Sequence, residues 1–197
     1  MTKATFFVEE DKILTSLFEE GMENLHLCKP DSEPVYSERL LTLLSEDYYK
    51  KITVHDHFYL REEFGLKGIH LYDPNSEKPY GYKGNITCTC RSISELQDAK
   101  KRFDYVFLRT VFDSQNNAEH KQTLTCEELK EAGKKGLIDK HVYAMGGVCL
   151  DNIRQAKDYG FGGVVVCSDL WNRFNIQQEQ DFKELILHFN KLQKAVN

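Results

Sequence analysis

Short apolar runs alternate with longer amphipathic segments along the whole chain. Eight runs have the length and the β-branched or aromatic content of strands, at residues 5–8, 24–27, 51–54, 68–71, 85–90, 105–108, 141–145 and 163–167. Apolar residues at helical spacing lie between most of them, at residues 12–20, 37–45, 58–64, 94–102, 126–136, 151–159 and 178–196. Thr125, followed by Glu127 and Glu128, is a predicted N-cap with acidic residues in the first helical turn.

Most of the predicted strands are short apolar runs without alternating polarity, which is typical of a parallel sheet covered by helices on both faces. Eight such units predict an α/β fold, a closed (β/α)8 TIM barrel. Length and hydrophobic content favour one compact domain over residues 1–197. Residues 73–84, rich in Pro, Asn, Gly and Tyr, are expected to form a loop in place of the fourth helix. An open doubly wound sheet is the structural alternative.

The composition excludes several function classes. With 31 acidic and 26 basic residues and a net charge of -5, a broad nucleic-acid surface is not expected, although a local anion site stays open. No secretory signal pattern and no window of about eighteen apolar residues is present, so we expect a cytoplasmic protein without a membrane partner. The six cysteines lack C-x-x-C spacing, which favours reduced thiols over a zinc site.

Two pairs of glycines flank the last two predicted strands. Gly146 and Gly147 follow the seventh strand, where a barrel of this kind commonly binds phosphate. Their backbone N–H groups, with the start of the next helix, are predicted to hold an oxyanion. Ser168, just past the eighth strand, could donate a hydroxyl to the same ligand. For the second pair, at 162 and 163, we expect only a tight turn into the strand.

These segments also carry a family resemblance. AMGGVCLDN and GVVVCSD resemble the A-I-G-G-I…N and G-V-A-V-x-S segments of thiamine phosphate synthases and TenI-type thiazole tautomerases. ITVHDH, GIHLYD, SISELQDAKKRFDYVFL and TVFDS are similar, in order and spacing, to that family's I-I-N-D-R, G-V-H-L-G-Q, S-x-x-E…A…D-Y-V and P-I-F-x-T segments. The ordered set covers roughly residues 6–170 and is more specific than any one motif.

The resemblance implies a transferase of thiamine biosynthesis. Such an enzyme joins hydroxymethylpyrimidine diphosphate to a thiazole phosphate and releases pyrophosphate, so its partners are small phosphorylated substrates. It needs Mg²⁺, together with cationic or N–H donors for the departing pyrophosphate. The chemistry needs no strong base. A homo-oligomer is left open.

Matching positions then receive roles implied by the resemblance. Asp56 is the metal carboxylate, and Asp73 could replace the second one, because Asn75 stands at that position. Ser114 is expected to contact pyrophosphate. The substrate-binding set comprises His26, His55, Arg109, Gly146, Gly147, Asn152, Cys167 and Ser168. A helix N-cap is the alternative role for Asp56.

The chain departs from the family where charge matters. The Q-L-R-x-K segment reads His26-Leu27-Cys28-Lys29-Pro30, so the arginine is a cysteine and the lysine comes one residue early. Arg91 replaces a histidine, Arg109 and Thr110 replace a glycine-proline pair, and Asn117 replaces a lysine. Lys29, Arg91 and Arg109 could supply the missing cations. Lys29 can do so only if its strand has already ended, since neighbouring strand residues face opposite ways.

Three functions therefore stay open at this point: a synthase with relocated cations, a tautomerase-like relative, and a protein that only binds a thiazole or pyrimidine phosphate. The tautomerase histidine is absent, because Thr110 stands at its position. A zinc hydrolase built on His55, Asp56 and His57 is not favoured. Neighbouring residues on a strand alternate faces, so at most two of the three could converge on one ion.

Overall fold

The computed structural model describes residues 1–113, 124–174 and 182–197. Seven parallel strands form one sheet in sequence order: β1 (Leu25–Leu27), β2 (Ile52–Val54), β3 (Gly68–Leu71), β4 (Asn85–Cys90), β5 (Tyr105–Arg109), β6 (Val142–Met145) and β7 (Gly163–Val165). Seven of the eight predicted strands are thus present, and residues 73–84 contain no helix, as expected.

Helices connect the strands and cover the outer face of the sheet. They are α1 (Glu10–Glu19), α2 (Pro34–Leu43), α3 (Tyr59–Glu63), α4 (Ile93–Arg102), α5 (Cys126–Lys134), α6 (Ile153–Asp158), α7 (Ser168–Trp171) and α8 (Lys183–Val196), with a 3-10 helix at Glu46–Lys51. Thr125 is the predicted N-cap of α5: its hydroxyl accepts from the Glu128 N–H, and the Glu128 carboxylate accepts from the Thr125 N–H. None of the helices in the described ranges is long and apolar enough to cross a membrane.

The sheet is strongly curled. In a flat sheet β1 and β5 would lie roughly 19 Å apart, because neighbouring strands are about 4.8 Å apart. Instead, Nε2 of His26 on β1 lies 2.7 Å from the hydroxyl of Tyr105 on β5. The inner faces of the two strands therefore meet across the interior.

Alternation along the strands divides apolar from polar side chains. Leu25, Leu27, Ile52 and Val54 are buried against the helices, whereas His26 and the residues that share its face point inward. The inward set is polar or aromatic and largely buried, and comprises His26, Thr53, His55, His70, Thr87, Thr89, Tyr105, Phe107 and Tyr143. Among the described residues most of the buried apolar side chains form one contiguous cluster. A single core of this kind is what one domain over residues 1–197 would have. The assignment of one domain stays a prediction.

The predicted closed barrel is wrong, because β7 and β1 do not pair and the sheet is open between them. The first predicted strand, residues 5–8, is also absent. Met1 and Thr2 lie in the gap instead: the Met1 amino group donates to the Val166 carbonyl at 3.0 Å, and the Thr2 N–H donates to the His26 carbonyl at 2.9 Å. The two edges are thus bridged by a short irregular segment rather than by a strand.

Residues 5–8 have the aromatic composition of a strand, but their side chains anchor an irregular segment. The Phe6 ring lies under the ammonium of Lys29, with 4.2 Å from Nζ to the ring centroid. The Phe7 ring packs edge-on against Trp171, with ring centroids 5.7 Å apart. Both side chains fix the segment against other elements without a hydrogen-bonded ladder.

The inward histidines make folding stability depend on pH. Burial lowers the pKa of His70 to about 3 and holds the pKa values of His26 and His55 well below the ordinary value of 6.5. Between these values the unfolded chain binds protons that the folded chain does not. Stability is therefore full above pH 6.5 and falls as the pH drops towards 3.

We expect urea denaturation to show this loss between pH 7 and pH 5, with a slope of up to about 1.4 kcal/mol per pH unit for each histidine that stays neutral in the fold. His26→Gln should reduce the slope. His141→Gln, at a half-exposed surface site, serves as the control and should leave it unchanged. Equal slopes in all three proteins would show that the interior histidines are not responsible.

Candidate active site

A cavity of about 240 Å³ opens at the carboxyl ends of β5, β6 and β7. Five of the residues predicted to bind substrate or phosphate line it: Arg109, Gly146, Gly147, Cys167 and Ser168. The strands bring them together because the carboxyl ends of parallel strands meet at one edge of the sheet. Ser168 also begins the short helix α7. This edge is where ligands bind in folds of this architecture.

The glycine pair after β6 has a structural reason that the sequence did not reveal. Gly146 and Gly147 have φ angles of 92° and 64°, a region that favours glycine. A Cβ atom on Gly147 would press against the backbone of Phe112 and Asp113, with 2.6 Å to the Phe112 carbonyl oxygen. The close neighbour is therefore the chain after β5, and not only a ligand.

The same loop still offers donors to an anion. Within the described part of the chain, the N–H groups of Gly147 and Val148 donate to no protein acceptor. Both residues line the cavity. The Asn152 amide holds the loop in place, since Nδ2 donates to the Gly147 carbonyl and Oδ1 accepts from the Cys149 N–H, each at 2.9 Å. Asn152 is thus a positioning residue in this structure, and its predicted contact with substrate stays a prediction.

Glycines 162 and 163, at the start of β7, also face close neighbours. A Cβ on Gly162 would meet the backbone of Lys140, and one on Gly163 would lie 3.0 Å from the Tyr143 ring. Packing therefore explains this pair, as the sequence interpretation favoured.

A second group of predicted residues lies at the end of β2. The Asp56 carboxylate accepts from the Lys29 N–H at 3.1 Å and from the Tyr72 hydroxyl at 3.0 Å. The Cys28 thiol lies 3.5 Å from the same hydroxyl, and burial raises its pKa. Asp56 does not cap α3, whose N-cap is Phe58 without a side-chain hydrogen bond. The N-cap alternative for Asp56 is therefore wrong.

Thr2 connects this group to the cavity. Its hydroxyl donates to the Cys28 carbonyl at 3.0 Å, and its own carbonyl accepts from the Cys167 thiol at 3.5 Å. Asp73, the predicted second metal ligand, accepts from the Asn75 N–H at 2.7 Å in a local turn. Arg91 follows β4 and is exposed. Ser114 lies outside the described residues.

Lys29 is not where the sequence placed it. Its ammonium is buried and binds both carboxylate oxygens of Glu10, at 2.7 and 2.8 Å, and the Thr5 carbonyl at 3.1 Å. Burial lowers the pKa of Lys29 and raises that of Glu10, while their mutual attraction acts in the opposite direction on both. Because β1 ends at Leu27, the Lys29 side chain is free to turn towards α1. It therefore does not supply the cation expected at the pyrophosphate.

His26 and His55 are likewise not at the cavity mouth. They belong to the buried interior, where Nδ1 of His26 lies 2.8 Å from Nε2 of His55. His70 completes a cluster with them and binds Thr87 and Thr89 through its two ring nitrogens, at 2.7 and 2.8 Å. His70, Tyr72 and Tyr105 contact the predicted residues but were not themselves predicted from the sequence. The available signal was position, since each follows the alternation of a predicted strand with its side chain inward.

Comparison with known proteins now identifies the family. The family model "Thiamine monophosphate synthase" matches residues 29–170. The chain belongs to the thiamine monophosphate synthase family. A solved thiamine phosphate pyrophosphorylase from Bacteroides thetaiotaomicron is 48% identical, with a TM-score of 0.88 over 98% of this chain and 94% of that one. A comparison with curated proteins found no match.

More distant structures show the fold alone. Thiamine phosphate pyrophosphorylase from Pyrococcus furiosus is 19% identical, with a TM-score of 0.68 over 95% of this chain and 89% of that one. A 3-hexulose-6-phosphate synthase is 11% identical, with a TM-score of 0.62 over 100% and 98%. The resemblance seen in the sequence motifs is thus confirmed at the level of the family.

The ion pair of Lys29 leads to a stability prediction. Lys29→Met leaves the buried Glu10 carboxylate without its partner, and we expect the free energy of unfolding to fall by about 3–5 kcal/mol. Lys12→Met, which removes an exposed pair with Glu9, is the matched control and should leave the stability nearly unchanged, because exposed ion pairs contribute little. Urea denaturation measures both. A Lys29→Met protein of unchanged stability that has lost turnover would restore a catalytic role.

The glycine loop leads to a second stability prediction. Gly147→Ala introduces both a strained backbone and a steric overlap with the chain after β5. Gly136→Ala introduces the strain alone, since Gly136 has a φ of 68° and an added Cβ meets nothing within 4 Å. We expect about 1–2 kcal/mol for Gly136→Ala and a clearly larger loss for Gly147→Ala, measured by urea denaturation. Equal losses would show that the overlap is relieved at no cost.

Proposed function

We propose that this protein condenses hydroxymethylpyrimidine diphosphate with a thiazole phosphate and releases pyrophosphate. The observation that carries the proposal is the cavity at the ends of β5–β7, which gathers an arginine, a glycine loop whose N–H groups at Gly147 and Val148 have no acceptor among the described residues, and a serine hydroxyl. Each of these groups favours a phosphoryl oxygen. Family membership supplies the reaction class.

We assign the thiazole phosphate to the glycine loop and Ser168. The loop needs no cationic side chain, because backbone donors beside a helix start already favour an anion. Asn152 keeps this loop in shape through its two hydrogen bonds. The site should therefore tolerate the absence of an arginine at Cys28 and of a lysine at Asn117.

Mg²⁺ fits the residues at the end of β2. Magnesium usually takes one or two carboxylates and completes its shell with water and substrate phosphate. Asp56 is half-buried and oriented by Tyr72 and the Lys29 N–H, so it would hold the ion, with Asp73 as a second ligand. The ion would supply charge stabilisation to the leaving pyrophosphate. The Tyr72 hydroxyl meanwhile keeps the Asp56 carboxylate in one orientation.

Arg91 and Arg109 are our candidates for contacts to pyrophosphate. Arg91 directly follows β4 and Arg109 is the last residue of the neighbouring β5, and a guanidinium offers paired donors to phosphoryl oxygens. Ser114 remains a candidate from sequence alone. The side chain of Lys29 is excluded from this set by its ion pair with Glu10.

A protein that binds the thiazole or pyrimidine phosphate without turnover is the second candidate. The burial of Lys29 favours it, because the chain then has one cation fewer near the leaving group than the sequence predicted. A tautomerase-like relative is a further alternative, which would also bind a thiazole phosphate and release no pyrophosphate. The experiment below separates both from the synthase.

We also propose the compartment in which the protein works. All six cysteines are free thiols, which supports a reducing compartment such as the cytoplasm. Self-association stays a prediction from sequence.

The synthase predicts magnesium-dependent release of pyrophosphate when the two substrates are mixed. Asp56→Asn should lower kcat strongly, because it removes the carboxylate charge, while leaving thiazole-phosphate affinity nearly unchanged. Ser168→Ala removes one hydrogen bond and should weaken thiazole-phosphate binding by about two- to tenfold. A pyrophosphate-release assay measures the first effect and calorimetric titration the second.

Thr42→Ala, on the outer helix α2, is the control and should change neither quantity. Binding of thiazole phosphate without any release of pyrophosphate would reject the synthase in favour of these two alternatives. Absence of both would reject the site.

A further inference from the structure

We propose that His26, His55 and His70 form a binding site for one first-row transition-metal ion of the zinc class, inside the sheet and separate from the magnesium site. The three side chains come from β1, from the residue after β2 and from β3. One nitrogen from each lies within 4.8 Å of the others. Imidazole nitrogens favour such ions, whereas magnesium favours oxygen.

The geometry needs only a local adjustment. A zinc–nitrogen bond is about 2.0–2.1 Å, so tetrahedral ligand nitrogens lie about 3.3 Å apart. Nδ1 of His26 and Nε2 of His55 are 2.8 Å apart and must separate slightly. The His70 ring stacks on His55, with centroids 4.1 Å apart and planes 17° apart. It must turn about its Cβ–Cγ bond to point a nitrogen at the same ion.

The imidazoles are ready to bind without losing a proton. Burial keeps all three neutral, with pKa values below 6.5, and a neutral imidazole is the form that ligates metal. Binding moves each ring proton to the nitrogen that does not face the ion, so no proton is released. The ion replaces the hydrogen bond between His26 and His55 and the one between Nε2 of His70 and the Thr89 hydroxyl.

In two of the three rings a hydroxyl oxygen lies beside the nitrogen that would not bind the ion. Ligating histidines usually place their second nitrogen against such an oxygen, which fixes the ring. Nε2 of His26 lies 2.7 Å from the Tyr105 hydroxyl, and Nδ1 of His70 lies 2.7 Å from the Thr87 hydroxyl. The Thr87 hydroxyl itself donates to the Ile69 carbonyl at 3.4 Å, so it can accept from His70.

The hydrogen-bond network by itself is incomplete. Nδ1 of His55 is buried and has no partner among the described residues; an ion bound through Nε2 leaves Nδ1 protonated, so this nitrogen calls for a buried water as its acceptor. A cavity of about 460 Å³ between β7 and β1 is lined by His26 and Tyr105. His26 is thus the member of the cluster that borders a cavity.

His26→Gln and His55→Asn each remove one ligand nitrogen and keep a side chain that can form hydrogen bonds at that position.

The test uses the whole protein freed of metal by a chelator and then mixed with Zn²⁺ or Co²⁺. We expect wild type to retain one ion per chain after gel filtration, measured by mass spectrometry of the metal, with an absorption spectrum of nitrogen-ligated Co²⁺. His26→Gln and His55→Asn should each lower the affinity by at least about tenfold. His141→Gln, which removes a surface histidine, is the matched control and should bind as wild type does.

X-ray absorption on the zinc-loaded wild type gives a readout that does not depend on any variant. Three imidazole nitrogens at about 2.0–2.1 Å are expected. Wild type that retains no ion, or an ion retained equally by both interior variants, would overturn the proposal. Magnesium-dependent activity does not enter these outcomes, so the proposed synthase and the proposed metal site fail independently.

Discussion

The rest of the structure depends on the curl of the sheet, which the hydrogen bond between His26 and Tyr105 shows directly. This bond joins the first and fifth strands of the sheet and is possible only because the sheet curls until its inner faces meet. The curl leaves polar side chains buried, and almost every one must then find a partner. The register of the strands is fixed accordingly, since a shift by one residue would replace an inward histidine such as His26 with a leucine.

The sequence predicted the strands well where an apolar run was also a buried strand. It did not predict that one face of these strands carries buried polar side chains. Runs such as L-H-L and I-T-C-T-C do alternate, with polar residues that are buried rather than exposed. Hydropathy does not distinguish a buried histidine from an exposed one. The strand predicted at residues 5–8 was wrong, because Phe6 and Phe7 have the composition of a strand but pack as single side chains against other elements.

The candidate site was predictable to the extent that it depends on strand order. Arg109, Gly147 and Ser168 meet because consecutive parallel strands place their carboxyl ends side by side. Lys29 was not predictable in this way: β1 ends two residues earlier, and only the three-dimensional structure shows that the nearest charge is Glu10 of α1. The close approach that explains Gly147 involves the chain after β5, thirty-four residues away from it in sequence, which no local pattern reports.

Asp169 has a consequence for how the molecule opens. Its buried carboxylate accepts from the Leu150 N–H at 3.3 Å, beside the glycine loop, and lies 2.7 Å from Nε2 of His188 on α8. The loop that faces the cavity and the C-terminal helix therefore share one charged group. Proteins open locally in cooperative units rather than residue by residue. We therefore expect release of this loop and detachment of α8 to belong to the same unit, so that the rim of the cavity is held against local unfolding by a helix that does not line it.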